Sequence, residues 1–548
     1  MLLGFSLILI VVILIGSIIW QASRSVRLAR ANGQSTAQLH SFGYKQELLR
    51  DMGGFSNFAV SFSIISVLTG AVTLYGYGFN QGGPGVMGLG WPIVTFFVLF
   101  VAAAMAELTS SIPTSGAIYH WAAILGGSTW GWLTAWLNLI GQVTIVAGID
   151  YGCANFTAAL LFNQPSKIQT IGVFAVILAS HAILNHVGIH IIDKFNSISA
   201  FYHLIGVLLI IAVLVYFGPK HSVGYIFTTN FSTVTSGSTP YWFAFLLGLL
   251  QAQWTLTGYD ASAHTSEETL DPQVRAPWGV FLSVAISGIF GYILLALVTM
   301  SIKNPLAVAQ SGNNAFMTVI QQAVGGTIGQ GILWLVTIAM WFCGLSSITS
   351  ASRIVFAFSR DGGLPLSKIW AKVSPKYHTP AASIWLVSGI AFLSSLSNNV
   401  YAIVTSLSVI GLYSSYFIPI ALKIRARLRG AWTAADDGPW NLRKWSLPVN
   451  LIACLWIIFL VSLMIISPST VVITKHLTLH YATGEIFIAV LFLLYLYYYV
   501  SARKKFTGPH LGTYAAISQR LQHKQTESMP PVATEQFIQT SMRHNNIK

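Results

Sequence analysis

Charge is what this sequence has least of. Of 548 residues, 29 are Lys or Arg and 15 are Asp or Glu, so only 8% are charged, against about 25% in an average soluble domain. A water-soluble protein needs a charged exterior, and this chain cannot supply one, so a soluble enzyme is excluded. Cysteine is scarcer still. Cys153, Cys343 and Cys454 all fall in apolar stretches, which suits packing and fits neither a disulfide framework nor a metal site. What is plentiful is apolar surface: 54% of residues are hydrophobic and the mean hydropathy is +0.67. The net charge of +14 would suggest nucleic acid in a soluble protein. Here its meaning depends on where along the chain the charges sit.

A membrane-spanning helix needs about 20 mostly apolar residues. The sequence predicts one such span at 2–20, then twelve more near 55–79, 86–107, 130–160, 168–186, 197–217, 241–263, 278–301, 327–352, 381–396, 401–422, 446–467 and 483–500. These are continuous apolar runs, not the ten-residue alternations of a transmembrane barrel, so the expected class is an all-α membrane protein. The first run has no basic residue before it, and Arg24, Arg27 and Arg30 follow it. It reads as an uncleaved signal anchor with its N-terminus outside, a cleaved signal being the alternative.

That orientation puts 25 of the 29 Lys and Arg in cytoplasmic segments and leaves Lys167, Lys220, Lys303 and Lys475 outside, as the positive-inside rule requires. The expected organisation is an N-terminal span (1–20), a basic cytoplasmic segment (21–54), two blocks of five spans (55–217 and 241–422), two terminal spans (446–500) and a polar cytoplasmic tail (501–548). The +14 is then a membrane-orienting charge, and no nucleic-acid partner is expected.

Two spans break helix rules near their middles. The first core span reads Ser66-Val67-Leu68-Thr69-Gly70, and the sixth reads Trp254-Thr255-Leu256-Thr257-Gly258-Tyr259-Asp260. Interrupted spans at matching positions of two halves point to a binding site formed by inverted repeats; close helix packing is the competing explanation for each glycine alone. Local unwinding exposes amides on one side and carbonyls on the other, which suits a zwitterion. The acids inside spans are Glu107, Asp150, Asp260 and Glu485. A carboxylate at the bilayer centre costs roughly 2.5–3.5 kcal/mol on insertion scales. Glu107 and Glu485 lie near span ends, where an interfacial position explains them. Asp150 and Asp260 lie deep, and with His203 of the fifth core span they are the candidates for proton uptake. Trp254, one turn before the second break, is placed to stack on a substrate ammonium.

Several blocks together resemble a known family. They are Phe55-Ser56-Asn57-Phe58, Gly82-Gly83-Pro84, Ala106-Glu107 before Pro113-Thr114-Ser115-Gly116, Gly148-Ile149-Asp150-Tyr151-Gly152, Gly258-Tyr259-Asp260-Ala261-Ser262, Ser359-Arg360-Asp361-Gly362-Gly363 and Gly438-Pro439-Trp440. They are similar to amino acid permeases of the amino acid–polyamine–organocation superfamily, most of all its amino acid/choline branch, over about residues 45–508. The resemblance implies a LeuT-type fold of five-plus-five inverted repeats with two further helices. The N-terminal span lies outside that pattern. The resemblance also implies substrate-binding residues at the first break (Ser66, Leu68, Thr69, Gly70) and on the facing sixth helix (Trp254, Thr257, Gly258, Tyr259, Asp260). His203 falls where some proton-coupled relatives carry a Lys.

The function expected on these grounds is a secondary transporter. It would move an amino acid or related amine such as GABA by alternating access, coupled to H⁺, as a multi-pass protein of the plasma membrane. The alternatives are a choline or polyamine permease, an amino acid exchanger and a transporter-like nutrient receptor. No catalytic constellation, metal site or cofactor is expected. His264 near Glu267 and Glu268 lacks the spacing of a helical zinc site, and there is no nucleotide-binding loop.

Overall fold

The computed structural model describes residues 2–31, 47–162, 164–217, 221–229, 240–394, 400–466, 468–474, 477–506, 508, 509, 517 and 519–521. Parts of the expected basic segment (32–46) and most of the expected tail lie outside the described residues.

The membrane body is helical throughout. Helix α1 runs Leu2–Ala31, well past the expected 2–20, because its basic stretch keeps helical propensity after the apolar run ends. The first core span is three pieces, α2 (Gly54–Ile64), α3 (Gly70–Thr73) and α4 (Tyr75–Gly82). Next come α5 (Trp91–Ser111), α6 (Ile118–Gly126), α7 (Ser128–Leu161), α8 (Lys167–Val187) and α9 (Ile189–Phe217). The sixth core span is also in pieces, α10 (Tyr241–Gly248), α11 (Leu250–Thr255) and α12 (Ala261–His264). The long α13 (Pro272–Met300) leads into two short helices, α14 (Pro305–Gln310) and α15 (Ala315–Ala323). After α16 (Gly326–Arg360) and α17 (Ser367–Trp370) come α18 (Ala381–Ser394), α19 (Val400–Leu428), α20 (Ser446–Ile466) and α21 (Thr483–Tyr497).

Ten helices among the described residues are long and apolar enough to cross a membrane, and α18 is a shorter apolar one. The two spans in pieces are the two whose sequences break helix rules. Between α20 and α21 lies a feature absent from the all-helical expectation: an antiparallel hairpin, β1 (Pro468–Thr474) with β2 (Leu477–Ala482). Its Thr470-Val471-Val472-Ile473-Thr474 run is β-branched at every position, which favours a strand once the chain leaves the apolar phase.

Helices α2, α7, α13, α16 and α19 pack around the interrupted segments. Leu68, Gly344, Tyr259 and Tyr416 are all sealed from solvent. By contrast α1 sits at the periphery, turning Phe5, Leu9, Ile10 and Ile13 outward. It is clipped to the body where Ser25 Oγ donates to Pro439 O at 3.0 Å. Exposed apolar side chains on the outer helices are expected where the solvent is lipid.

Candidate functional site

The first break lies between α2 and α3. The helix ends where Ile65 N donates to Ser61 O; beyond it, Thr69 N and Gly70 N both donate to Ser66 O at 2.9 Å. Among the described residues no hydrogen bond leaves the amides of Ser66, Val67 and Leu68. The second break lies between α11 and α12, where the amides of Thr257, Gly258 and Tyr259 are likewise without acceptors. Gly258 has φ +83°, a conformation glycine adopts without steric cost. Buried amides lacking partners are rare, and these two runs leave six donors that acceptor oxygens of a ligand could fill.

The breaks abut each other. A Cβ on Gly70 would lie 2.6 Å from Thr255 Oγ1, and one on Gly258 would collide with Ile64 Cγ2. The sequence-predicted residues Ser66, Leu68, Thr69, Gly70, Thr257, Gly258 and Tyr259 are therefore gathered in one buried locus. Trp254 is there too, 3% exposed, its Nε1 donating to Ser408 Oγ at 3.0 Å and its ring against Gly148.

His203 on α9 joins the same locus. Its Nδ1 is 2.8 Å from Ser199 O and its Nε2 is 2.7 Å from Ser66 Oγ. A carbonyl only accepts, so Nδ1 carries the hydrogen and Nε2 of the neutral ring accepts from the Ser66 hydroxyl. Thr69 Oγ1 donates to the same Ser66 Oγ at 2.8 Å. A void of ≈ 10 Å³, lined by Phe62, Ser66, His203 and Ser287 among others, lies beside them; that is room for about one water.

Asp260 sits differently from the expectation of a carboxylate facing a substrate amine. Oδ2 accepts from Gln142 Nε2 at 2.8 Å and Asn138 Nδ2 at 3.1 Å, and Oδ1 accepts from Tyr416 Oη at 2.9 Å. His264 Nε2 lies 3.3 Å from Oδ2. Both oxygens are thus occupied by groups from α7, α12 and α19, and the carboxylate knots three elements together behind the second break. Asp150 is not at the breaks. It pairs with His181 of α8 across 3.1 Å, both side chains fully buried.

The end of the bundle that the charge pattern places in the cytoplasm is sealed by ion pairs. Arg353 meets Glu268 at 3.0 Å and Arg360 meets Glu267 at 3.2 Å. Ser115 N donates to Glu267 Oε1 at 3.0 Å, and Tyr119 donates to Asp361. At the opposite end a cavity of ≈ 350 Å³ is lined by uncharged polar groups, including Ser311, Asn314, Thr318, Gln321 and Gln330. Glu107 departs from its expected interfacial position. It is 1% exposed, pairs with Lys423 at 2.9 Å, and accepts from Ser446 Oγ and Leu442 N. The 438–442 segment folds over it, which hydropathy does not reveal.

Sequence reasoning missed Asn138, Gln142, Tyr416 and His181. The first two carried a signal: amide side chains four apart on one face of an otherwise apolar span. Among the described residues no group of three His, Cys, Asp or Glu is arranged to hold a metal.

Two interrupted helices meeting at midspan, inside a shell of long continuous ones, define a membrane transporter of the broken-helix class. The chain matches the amino acid permease family over residues 53–493 and belongs to that family. It is 36% identical to the amino-acid permease BAT1 of Arabidopsis thaliana, over 86% of this chain and 95% of that protein. A rice BAT1 homolog is also 36% identical, over 89% and 98% of the two chains. A putative polyamine transporter of Candida albicans is 26% identical over 90% and 92%. The chain is therefore a multi-pass integral membrane protein whose substrate is an amino acid or a relative of one.

Proposed function

We propose that this permease carries an amino acid such as GABA across the plasma membrane by alternating access, coupled to H⁺. The observation that carries this reading is the pair of abutting breaks with unpartnered amides. The substrate carboxylate takes the amides of Ser66, Val67 and Leu68, with Thr69 and Gly70 framing it. The amine faces the carbonyls of the sixth span, covered by Trp254. Asp260 then positions Tyr259 and the second break rather than touching the amine. In this reading 55–217 and 241–422 are the inverted repeats. The Gly70–Thr255 contact must part to admit substrate, and the Glu267–Arg360 and Glu268–Arg353 pairs must part to release it.

An uptake panel in proteoliposomes tests the substrate: labelled GABA, choline, a polyamine, and basic and neutral amino acids, with and without a pH gradient. GABA or another amino acid is expected to lead. Uptake of choline or polyamine alone overturns the amino acid reading, and obligatory exchange without net uptake overturns coupled import. Trp254→Ala is expected to abolish uptake at wild-type surface levels, since nothing else on α11 can cover the amine; wild-type uptake would remove Trp254 from the site.

His203 touches the first break through Ser66, so its protonation changes which way that hydroxyl points. Uptake is expected to quicken at acidic external pH, and His203→Ala to flatten the profile. An unaltered pH profile in the variant rejects this role.

A further inference from the structure

One ionisable pair is left unused by the substrate path. Asp150 Oδ2 and His181 Nδ1 are 3.1 Å apart, with neither side chain exposed. A carboxylate oxygen accepts, so Nδ1 carries the hydrogen. That leaves Asp150 Oδ1 and His181 Nε2 without a hydrogen-bond partner among the described residues. Helix α16 closes the space over them: a Cβ at Gly344 would collide with Asp150 Oδ1 and lie 2.7 Å from His181 Cε1. Only glycine lets α16 approach this closely.

Among the described residues the surroundings hold no compensating cation. The titratable groups facing Asp150 are His181 on α8, the Cys153 thiol on its own helix and the Cys343 thiol on α16. The Trp341 ring lies 5.0 Å from the His181 ring. Helix α18, which packs on both α7 and α8, carries no titratable residue. Among the described residues no Lys or Arg forms an ion pair with Asp150. With one proton on Nδ1 the pair therefore carries a net negative charge in apolar surroundings, an expensive state. A second proton, on His181 Nε2, makes it neutral.

The pair is also wired to the first break. Cys343, adjacent to Gly344, places its Sγ 3.3 Å from Ile64 O, the carbonyl at the end of α2. Ile64 in turn fills the space beside Gly258 of the second break. A change of charge against Gly344 is thus one residue along α16 from a contact with the break.

We propose that the Asp150–His181 pair binds the transported proton, as a site separate from the substrate locus. It takes up one H⁺ on the free His181 Nε2, held there by the Asp150 carboxylate, when open to one side and releases it to the other. No other bond is made or broken. The proposal rests on the proton-coupled reading above, which the same experiment tests separately.

The experiment uses the full chain in proteoliposomes with the membrane potential clamped at zero. The probe is labelled GABA, or the best-carried amino acid of the panel. With one H⁺ per substrate, an inward gradient of one pH unit supports about tenfold accumulation, since a tenfold ratio is about 1.4 kcal/mol. The wild type is expected to reach that level. Asp150→Asn and His181→Gln are expected to stop at the equilibrium level while keeping counterflow exchange of labelled substrate. Should Asp150→Asn not reach the membrane, His181→Gln carries both expectations, because its amide still donates to Asp150 but cannot take a proton. Tenfold accumulation by either variant overturns the proposal, as does loss of counterflow together with accumulation in both. A wild type indifferent to the gradient overturns the proton-coupled reading itself, and the pair's role with it.

Discussion

Gly258→Leu is expected to abolish uptake while the protein still reaches the membrane. Two independent costs fall on this position. The backbone stands at φ +83°, where a side chain meets the neighbouring carbonyl at a cost of about 1–2 kcal/mol. The added Cβ also runs into Ile64 Cγ2, and overpacking a filled interior costs about 1–3 kcal/mol. Together, some 3 kcal/mol against the closed break lowers its population by about a hundredfold. The rest of the bundle is untouched, so surface delivery and detergent stability stay near wild type. Gly258→Ala carries the backbone cost and a smaller clash, and should retain measurable uptake. Radiolabelled uptake normalised to surface protein is the measurement; wild-type rates in the Leu variant would mean the second break does not close on the substrate.

Arg353→Ala has the largest expected effect on stability. The guanidinium reaches Glu268 through Nε at 3.2 Å and Nη2 at 3.0 Å, with both side chains buried. Removing one partner of such a pair leaves an uncompensated charge and costs about 3–5 kcal/mol. Burial already pushes the Glu268 carboxyl above its ordinary range, and Arg353 offsets only part of that. Without Arg353 the carboxyl rises further and takes a proton more readily. The damage should therefore be greater at neutral pH than at mildly acidic pH, because the protonated form is the one that tolerates burial. Thermal unfolding of the detergent-solubilised protein measures this. The double variant Arg353→Met with Glu268→Gln should recover most of the loss, since neither remaining group is charged. An unshifted midpoint in the single variant would show the pair to be worth little.

Much of this architecture was legible in the chain. Apolar run length placed the helices, and Leu68-Thr69-Gly70 and Leu256-Thr257-Gly258 marked both interruptions. Those signals are local, because helix continuity is decided within a turn or two. What escaped is non-local. His181 is 31 residues from Asp150, and Tyr416 is 156 from Asp260; no periodicity on one helix names its partner on another. Asp260 illustrates the difference. Its depth in the membrane was readable from its position, but whether it faced a substrate or three helices' worth of donors depended on how α7 and α19 dock. Glu107 makes the same point: its place near a span end suggested water, and helix α19 supplied a lysine and a returning loop a buried pocket instead.

Helix α16 has 35 residues, so it is about 52 Å long at 1.5 Å per residue. A bilayer's hydrocarbon layer is about 30 Å thick. The helix must lean steeply or overhang, and its C-terminal turns carry Arg353 and Arg360, with Arg360 still 13% exposed. The ion pairs at that end therefore ride on a helix whose tilt depends on the thickness of the surrounding lipid. Of its two arginines Arg353 is sealed, and Arg360 is the one still open to its surroundings. If the inner side opens by alternating access as proposed above, the thickness of the host membrane bears on how readily it does so.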